Sequence, residues 1–457
     1  MNFASKIIKY TALRQLSFLF GIVSNIVLAR LISPEYFAPF VTSLAVLEVI
    51  YAFGDIGLRR SIINNSEKKD IFGTALLLSI CISLILLFTT VISAHLLVEE
   101  QLFWIVFILA LSKSISFISR VYSSFLEKDF RHVLIASAEL FAKFTSFFFA
   151  LYLIYAGLNT FALVYREILY FGIIFIILFA VNYKDITYRF DFHTAKIFLS
   201  SSFYFSFSSI AMTIQRNLPV IFFGKFSDLD AAHYNRSFFI AGLSNSLMVP
   251  ITDHISYSYY VREKKRKANL MKSLNLNLFF FFRILLPLSF ILYIYSEDIV
   301  FLLFGQSWGD SADYIEGLSG FFLLWPMYNI LRFFLYSQKE IGAVNKNIIF
   351  GLIFLSVFIF LVQIFNYNYS IISWGVSANM LLCSTHLLFY VNKVVSLDLK
   401  KILLRPSLSF VISLAALFQD LPVLINLSLF FFIYVVCLYF LERKEIKEFL
   451  DLNFKKS

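Results

Sequence analysis

Residues 71–94 read IFGTALLLSICISLILLFTTVISA, a stretch that contains no Asp, Glu, Lys or Arg. An α-helix needs about 20 consecutive apolar residues to cross the ~30 Å hydrocarbon core of a bilayer, and this stretch meets that requirement. Runs of similar length and character recur from one end of the chain to the other. The sequence therefore predicts an all-α, polytopic membrane protein.

The composition of the whole chain supports that fold class. Of its 457 residues, 60% are hydrophobic and 15% are charged, whereas average soluble domains are roughly 45–50% apolar and about 25% charged. The apolar runs predict about 14 transmembrane helices, with boundaries good to a few residues. The predicted spans are 10–32, 36–57, 71–94, 102–125, 133–155, 159–181, 197–223, 231–255, 270–295, 312–337, 345–365, 369–391, 403–418 and 422–441.

The polar breaks between the predicted spans alternate in charge. If the N-terminus, which carries Lys6 and Lys9, is cytoplasmic, the breaks on that side and the tail hold most of the 39 Lys and Arg residues, and the opposite breaks hold only Lys225. This bias predicts an even number of spans with both termini inside. The net charge of +10 and the basic run VREKKRKA at 261–268 then indicate topology and contact with anionic lipid rather than nucleic-acid binding.

Several classes of enzyme are disfavoured by what the loops contain. The longest outer break, EDIVFLLFGQSWGDSAD at 297–313, is short for the catalytic outer loop that membrane polymerases of lipid-linked sugars usually carry. The Gly-Lys pair in FFGKFS at 222–227 lacks the upstream Gly and the following Ser or Thr of a phosphate-binding loop. The His and Cys residues have no metal-ligand spacing. We therefore predict a chain that is not an enzyme and that has no cofactor and no metal.

Six charged residues fall near the middle of predicted spans, where charge is costly. Insertion scales assign about 2.5–3.5 kcal/mol to one such charge, so six exposed to lipid would cost on the order of 18 kcal/mol, more than the ~5–15 kcal/mol that stabilises a typical domain. Charges at this depth must therefore pair or face water. The six residues are Lys113, Lys143, Arg216, Arg283, Glu48 and Glu139.

The two acids leave alternatives open. Glu139 and Lys143 stand at i and i+4 on one helix and are able to pair, and Glu48 can neutralise one further cation. An excess of cations remains, which predicts a water-filled cavity with a net positive wall. Alternatively, a carboxyl group at membrane depth can bind a proton or Na⁺ reversibly, so Glu48 or Glu139 is a candidate for ion coupling.

Two junctions carry a family resemblance. The stretch NIVLARLISPEYFAPFVTSLAVLEVIYAFGDIGLRRSII at 25–63 resembles polysaccharide export proteins, the Wzx-type O-antigen and capsule flippases of the multidrug/oligosaccharidyl-lipid/polysaccharide flippase superfamily. The stretch FFGKFSDLDAAHYNRSFFIAGLSNSLMVPITDHIS at 222–256 is similar to the junction between the seventh and eighth spans of that family. Three positions depart from the pattern, namely Ala38, Ala232 and Ser237. The matching positions are Ala29, Arg30, Leu31, Ser33, Pro34, Asp55, Gly57 and Leu58.

The resemblance implies a fold and a function. It implies two pseudo-symmetric six-helix bundles, over 1–183 and 184–395, followed by two extra transmembrane helices and a cytoplasmic tail over 396–457. It implies a flippase that moves a polyprenyl-diphosphate-linked oligosaccharide, an O-antigen or capsular repeat unit, from the inner to the outer leaflet by alternating access. Cavity cations would then bind the diphosphate, with Lys113 and Lys143 facing Arg216 and Arg283 across one cavity.

Other functions remain as alternatives. A drug or metabolite antiporter of the same superfamily is the runner-up, although a cation extruder favours an acidic cavity. A membrane oligosaccharide polymerase or ligase is a third hypothesis. The expected partners of a flippase are the lipid-linked oligosaccharide and membrane lipids, with a polysaccharide polymerase complex as a further candidate and with no nucleic acid. The expected location is the cell inner (plasma) membrane.

Overall fold

A computed structural model covers most of the chain. Some residues of the stretches quoted above lie outside the described part, among them Gly57, Arg59, Arg60, Lys264 and Lys265. The structure describes residues 3–55, 58, 62, 71–97, 99–183, 189–201, 203–249, 256–263, 266–416 and 423–454.

The described residues form seventeen α-helices and no strand. This confirms the all-α class predicted from the apolar runs. Short 3₁₀ or π turns cover Gln306–Trp308, Lys400–Leu404 and Leu414–Ala416. The helices are α1 (Phe3–Leu31), α2 (Pro34–Ala52), α3 (Ile71–Leu97), α4 (Glu100–Lys128), α5 (His132–Tyr155), α6 (Asn159–Asn182), α7 (Phe192–Ser201), α8 (Phe203–Phe226), α9 (Asp228–Val249), α10 (Tyr257–Arg262), α11 (Lys267–Ile294), α12 (Ser296–Phe304), α13 (Ser311–Ser337), α14 (Ile341–Ile364), α15 (Ile371–Val394), α16 (Arg405–Ser413) and α17 (Val423–Phe454).

Within the described residues, eleven helices are long and apolar enough to cross a membrane. They are α1 to α6, α11, α13 to α15 and α17, and they make the chain a multi-pass membrane protein. The predicted spans 197–223, 231–255 and 403–418 coincide with helices outside this set. Helix α16 has nine residues, and α8 carries Gln215, Arg216 and Asn217 at its centre. For those three segments, spanning remains a prediction.

One compact unit comprises Met1–Asn235 and Val300–Asp310. Within it, α4 packs against α2, α3 and α6, while α5 packs against α1 and α6. A buried apolar cluster that includes Leu76, Tyr122 and Leu126 holds α3 and α4 together. Helix α2 also packs along α8, and this contact places α2 between α4 and α8.

The crossing of α2 and α8 is close enough to require glycine. A Cβ atom built at Gly224 on α8 would overlap the side chain of Thr42 on α2. Glycine permits this approach because it has no side chain, as at many helix contacts in membranes. The FFGKFS stretch, which lacks the pattern of a phosphate-binding loop, thus supplies a helix-packing residue.

A second compact unit comprises Arg236–Ile299 and Ser311–Ser457. Helix α13 packs against α11, α14 and α15, and α16 packs against α17. Buried serines join α9 to α13, since the Ser237 hydroxyl donates to the Ser311 carbonyl at 2.7 Å and the Ser244 hydroxyl to the Phe322 carbonyl at 2.7 Å. The first unit includes α7 and α8, whereas the predicted second bundle begins at residue 184, and the predicted division remains a prediction.

Candidate functional site

Three of the six mid-span charges meet in the first unit. The Lys113 ammonium on α4 lies 3.4 Å from Oε1 of Glu48 on α2. The Arg216 guanidinium on α8 donates from Nη2 to Oε2 of the same carboxylate at 2.6 Å. Asn217 Nδ2 also donates to Oε2, at 3.2 Å. One carboxylate therefore joins three helices through groups on both of its oxygens.

Neighbouring polar contacts fix the register of these helices. One turn after Glu48, the Tyr51 hydroxyl donates to the Ala110 carbonyl at 2.9 Å and lies 2.7 Å from the hydroxyl of Ser114, the residue after Lys113. On α8, the Asn217 amide also donates to the Thr213 carbonyl of its own helix at 3.0 Å. The Tyr51 contacts do not involve the charges and hold α2 against α4, whereas the Asn217–Thr213 bond orients the Asn217 side chain on α8.

Burial and charge are unequal across the cluster. The exposed fraction of the side chain is 14% for Lys113, 28% for Glu48 and 47% for Arg216. Two cations share one carboxylate, so the cluster carries one net positive charge. Pairs in a medium of low dielectric interact more strongly than they do in water. An anion that approached the exposed guanidinium would therefore meet a net attractive site.

Lys143 and Glu139 contact a different set of helices. Both lie on α5, one turn apart, and the Lys143 ammonium donates to the Ser17 carbonyl of α1 at 3.2 Å. Gly21, one turn further along α1, faces the same ammonium. Lys143 thus serves the packing of α5 on α1, and its role as a diphosphate ligand remains a prediction.

Arg283 lies in the second unit, where it has a carboxylate partner that the sequence analysis did not identify. Its Nε donates to Glu442 Oε2 at 2.7 Å, and its Nη2 pairs with Glu442 Oε1. The remaining donors reach the carbonyls of Phe279 at 2.7 Å and Lys401 at 2.8 Å. The side chains are buried, with 8% of Arg283 and 1% of Glu442 exposed.

This arrangement limits what Arg283 can do. All three of its guanidinium nitrogens donate to protein atoms, and the group stacks 3.2 Å from the Phe279 ring centre. It would have to leave Glu442 before it could bind a diphosphate, so its predicted role in substrate binding remains a prediction. Glu442 was missed because it follows the last predicted span, where the backbone leaves helical geometry.

The segment from residue 300 to residue 310 belongs to the first unit. Gly305 ends α12 with φ of +91°, a conformation that favours glycine, and this turn directs Trp308 inward. The Trp308 side chain is fully buried, and its Nε1 donates to the Ala29 carbonyl at 2.6 Å. The Arg30 guanidinium donates to the carbonyls of Leu303, at 2.9 Å, and Leu302. The longest outer break is therefore a packed element.

These contacts give the first sequence junction a structural role. Ala29 and Arg30 bind the 300–310 segment. Ser33 has the extended backbone typical of a residue before proline, with φ of −72° and ψ of 160°, and Pro34 begins α2. The motif that carries the family resemblance thus builds a turn and a packing surface, while the charged cluster lies further along α2.

A cavity of about 540 Å³ lies within the first unit beside α2. Glu35, Glu99 and Asp228 line it, together with Thr42 and Thr90, and its described lining holds no lysine or arginine. Such a wall disfavours a phosphate group. Among the described residues there is also no group of three His, Cys, Asp or Glu side chains that could hold a metal ion.

The comparison with family models decides the family. The model of the polysaccharide biosynthesis protein family matches residues 27–313. The chain belongs to this family. The match covers the first sequence junction from residue 27 onward, the whole of the second, and the cluster formed by Glu48, Lys113 and Arg216, and it confirms the predicted family. A comparison with curated protein sequences gives no significant match.

Solved structures show the fold of this family member. The lipid II flippase MurJ in an inward closed conformation matches with a TM-score of 0.77 at 15% identity, over 96% of this chain and 100% of that one. An inward-facing multidrug resistance MATE family transporter of the MOP superfamily matches with a TM-score of 0.63 at 14% identity, over 85% and 98%. A MOP superfamily transporter from Pyrococcus furiosus, described for the reverse polarity of its binding pocket, matches with a TM-score of 0.53 at 14% identity, over 85% and 94%.

At these identities the likeness concerns the fold. The chain has the same helical fold as these solved flippases and transporters. The family match, which does not depend on the fold, assigns the chain to polysaccharide biosynthesis.

Proposed function

We propose that the chain is a flippase that moves a polyprenyl-diphosphate-linked oligosaccharide, an O-antigen or capsular repeat unit, from the inner to the outer leaflet by alternating access. The observation that carries this proposal is the net positive cluster of Lys113, Arg216 and Glu48 in a member of a polysaccharide biosynthesis family. The diphosphate is the part of such a substrate that cannot cross hydrocarbon unaided, because charge in the bilayer core is expensive.

The chemistry of the cluster suits a diphosphate. A guanidinium presents its N–H groups as a planar fork that matches two phosphate oxygens, and nearly half of the Arg216 side chain is exposed. An ammonium such as that of Lys113 adds a point charge with three donors. Asn217 supplies a neutral donor beside them. Together they would replace the water that a diphosphate loses on leaving the aqueous phase.

The alternatives fit the site less well. A cation extruder of the same fold would need acidic groups in excess. Three acids do line the cavity beside α2, but in the charged cluster two cations share one carboxylate. A polymerase or ligase would need catalytic groups on an outer loop, and the 300–310 segment is instead packed around Trp308. The proposed protein is therefore a transporter, with no catalytic residue.

The proposal includes orientation and energy source. The excess of Lys and Arg in alternate loops supports an orientation with both termini cytoplasmic, and the proposed location is the cell inner membrane. An ion gradient would drive the cycle, with Glu48 and Glu139 as the candidates for coupling to a proton or Na⁺. A polysaccharide polymerase complex would receive the translocated unit.

Export in cells tests the proposal directly. Cells that lack the chromosomal copy would be complemented with wild type, with a Lys113→Ala, Arg216→Ala double variant, or with Lys225→Ala, a matched control that removes an exposed cation from the same helix α8. Surface polysaccharide and the protein level in membranes are measured in parallel. We expect the double variant to accumulate lipid-linked units inside the cell and to lose most surface polysaccharide, while the control exports normally.

Normal export by a stably inserted double variant would reject the diphosphate site. Loss of export in the control as well would show that the assay reports on helix α8 in general rather than on the cluster.

A further inference from the structure

The candidate site already holds an anion, and that anion is part of the protein. Glu48 offers one oxygen to Lys113 at 3.4 Å and the other to Arg216 at 2.6 Å and to Asn217 at 3.2 Å. These are the donors that the proposed diphosphate would use. Because Glu48 already contacts Arg216 Nη2, Lys113 Nζ and Asn217 Nδ2, a diphosphate that uses these atoms would compete with it.

We propose that Glu48 is a resident anion that the incoming diphosphate displaces, and that its displacement releases α8 from α2. The inference rests on the proposed diphosphate substrate. With Glu48 in place, the two cations keep a partner whenever the site is empty of substrate. This matters most for Lys113, which is 14% exposed, because an unpaired charge at membrane depth is costly.

The resident carboxylate also explains how a tight site can release its product. A pair of cations without a counter-ion would hold a diphosphate on both sides of the membrane. A carboxylate tethered on α2 returns to Lys113 and Arg216 as the product leaves, so it offsets the cost of release. Glu48 thus lowers the apparent affinity of the site, because only the fraction of molecules with an open site binds substrate. The same competition speeds product release and so raises turnover.

Displacement has a mechanical consequence within the first unit. Arg216 and Asn217 are the polar groups that join α8 to Glu48 on α2, whereas two turns further along α8 the contact of Gly224 with Thr42 depends on packing alone. Removal of Glu48 from its donors would therefore free the middle of α8 while the Gly224 crossing remains. Tyr51 would keep α2 on α4, since its contacts do not involve charge.

Binding by the purified, full-length protein in lipid nanodiscs tests the competition, with farnesyl diphosphate as the probe and isothermal titration as the measurement. We expect Glu48→Gln to bind about tenfold more tightly than wild type, which corresponds to a site that Glu48 occupies roughly nine-tenths of the time. Lys225→Ala, which removes an exposed cation of α8 outside the cluster, should stay near wild type. Arg216→Ala should bind at least about tenfold more weakly.

The outcomes separate the inference from the function on which it rests. If Glu48→Gln binds no more tightly while Arg216→Ala binds more weakly, the displacement mechanism is wrong and the diphosphate site stands. If Arg216→Ala and Lys113→Ala both bind like wild type, the diphosphate site itself fails.

Distance measurements on a chain with native Glu48 keep the inference testable even if Glu48→Gln does not fold. Spin labels at Phe53 and Phe207, both exposed, report on α2 and α8 beyond the ion pair, and labels at Tyr36 and Phe226, also exposed, report on the Gly224 end. The native cysteines Cys81, Cys383 and Cys437 would be replaced beforehand. Farnesyl diphosphate should lengthen the first distance beyond the width of its unliganded distribution and leave the second unchanged. An unchanged first distance at saturating probe would overturn the release of α8.

Discussion

Two arginines at the middle of long helices pair with glutamates in contrasting ways. Arg216 shares Glu48 with Lys113 and leaves nearly half of its side chain exposed. Arg283 is buried and forms a one-to-one ion pair with Glu442, and each of its guanidinium nitrogens donates to a protein atom. The same residue type at a similar position in the sequence pattern therefore forms an open, charge-unbalanced cluster in one unit and a closed, neutral pair in the other.

The difference teaches how to distinguish a binding site from a structural pair in a membrane protein. A charge within a membrane span by itself suggests a functional site, and both arginines were predicted to bind substrate for that reason. Partner count and exposure separate them. In a neutral pair such as Arg283 with Glu442, the two charges compensate each other and all guanidinium nitrogens are hydrogen-bonded. A cluster with surplus positive charge and exposed side-chain surface can still bind an anion.

The largest expected effect comes from breaking the ion pair between Arg283 and Glu442. Arg283→Ala should lower the free energy of unfolding by about 3–5 kcal/mol, because it strands the carboxylate of Glu442 in a buried position. Thermal unfolding of the purified protein, followed by the loss of monodisperse protein on size exclusion, measures the effect. Replacement of both partners, as Arg283→Met with Glu442→Leu, should recover much of the stability. A single variant as stable as wild type would mean that the pair is not buried in the membrane.

The open cluster should respond in the opposite sense. Arg216→Ala should cost about 1 kcal/mol or less of stability, since the partner Glu48 keeps Lys113 and the arginine is half exposed. Its export of polysaccharide should fall at least about tenfold, because a charge-assisted hydrogen bond to the diphosphate is lost. If Arg216→Ala unfolds as readily as Arg283→Ala, the contrast between the two arginines disappears.

A lysine at each position sharpens the comparison. Arg216→Lys keeps the charge but loses the bidentate fork, so export should lie between that of wild type and that of Arg216→Ala. Arg283→Lys should instead reduce stability by about 1–3 kcal/mol, because a lysine cannot serve Glu442 and two carbonyls in the same geometry. Equal export by Arg216→Lys and Arg216→Ala would argue against recognition by charge.

The smallest expected effect is that of salt. An increase in ionic strength from about 0.05 M to about 0.5 M shortens the screening length several-fold. It should weaken binding of farnesyl diphosphate to the exposed cluster by a few-fold, and it should leave the difference in unfolding free energy between wild type and Arg283→Ala unchanged. Salt-independent binding would indicate that the probe is held by its apolar chain.

Much of this fold follows from the sequence, because apolar runs of about 20 residues have few alternatives to helices in a membrane. The requirement that mid-span charges find partners also held for Lys113 and Arg216, and Glu48 was identified as able to neutralise a cation. Gln215, Arg216 and Asn217 interrupt the apolar run of α8, and this interruption is the feature of the sequence that indicates the site.

The choice of partners did not follow from the sequence. The ion pairs of Glu48 with residues on α4 and α8 depend on how three helices pack, and the spacing of residues within one helix does not predict them. Glu442 stands at a non-helical residue in a segment that otherwise reads as a basic tail, so nothing nearby points to Arg283. Similarly, the inward position of Trp308 depends on a glycine turn and on contacts with Ala29 and Arg30.

The packed Trp308 has a practical consequence for anyone who tags or maps this protein. An epitope or reporter inserted between Gln306 and Asp310 would pull the indole away from the Ala29 carbonyl and disturb the start of α2, so a failed fusion there would say nothing about sidedness. The short turn at Gly157, exposed between α5 and α6, offers a better insertion point for the same face of the predicted topology, because exposed loop tips tolerate added residues.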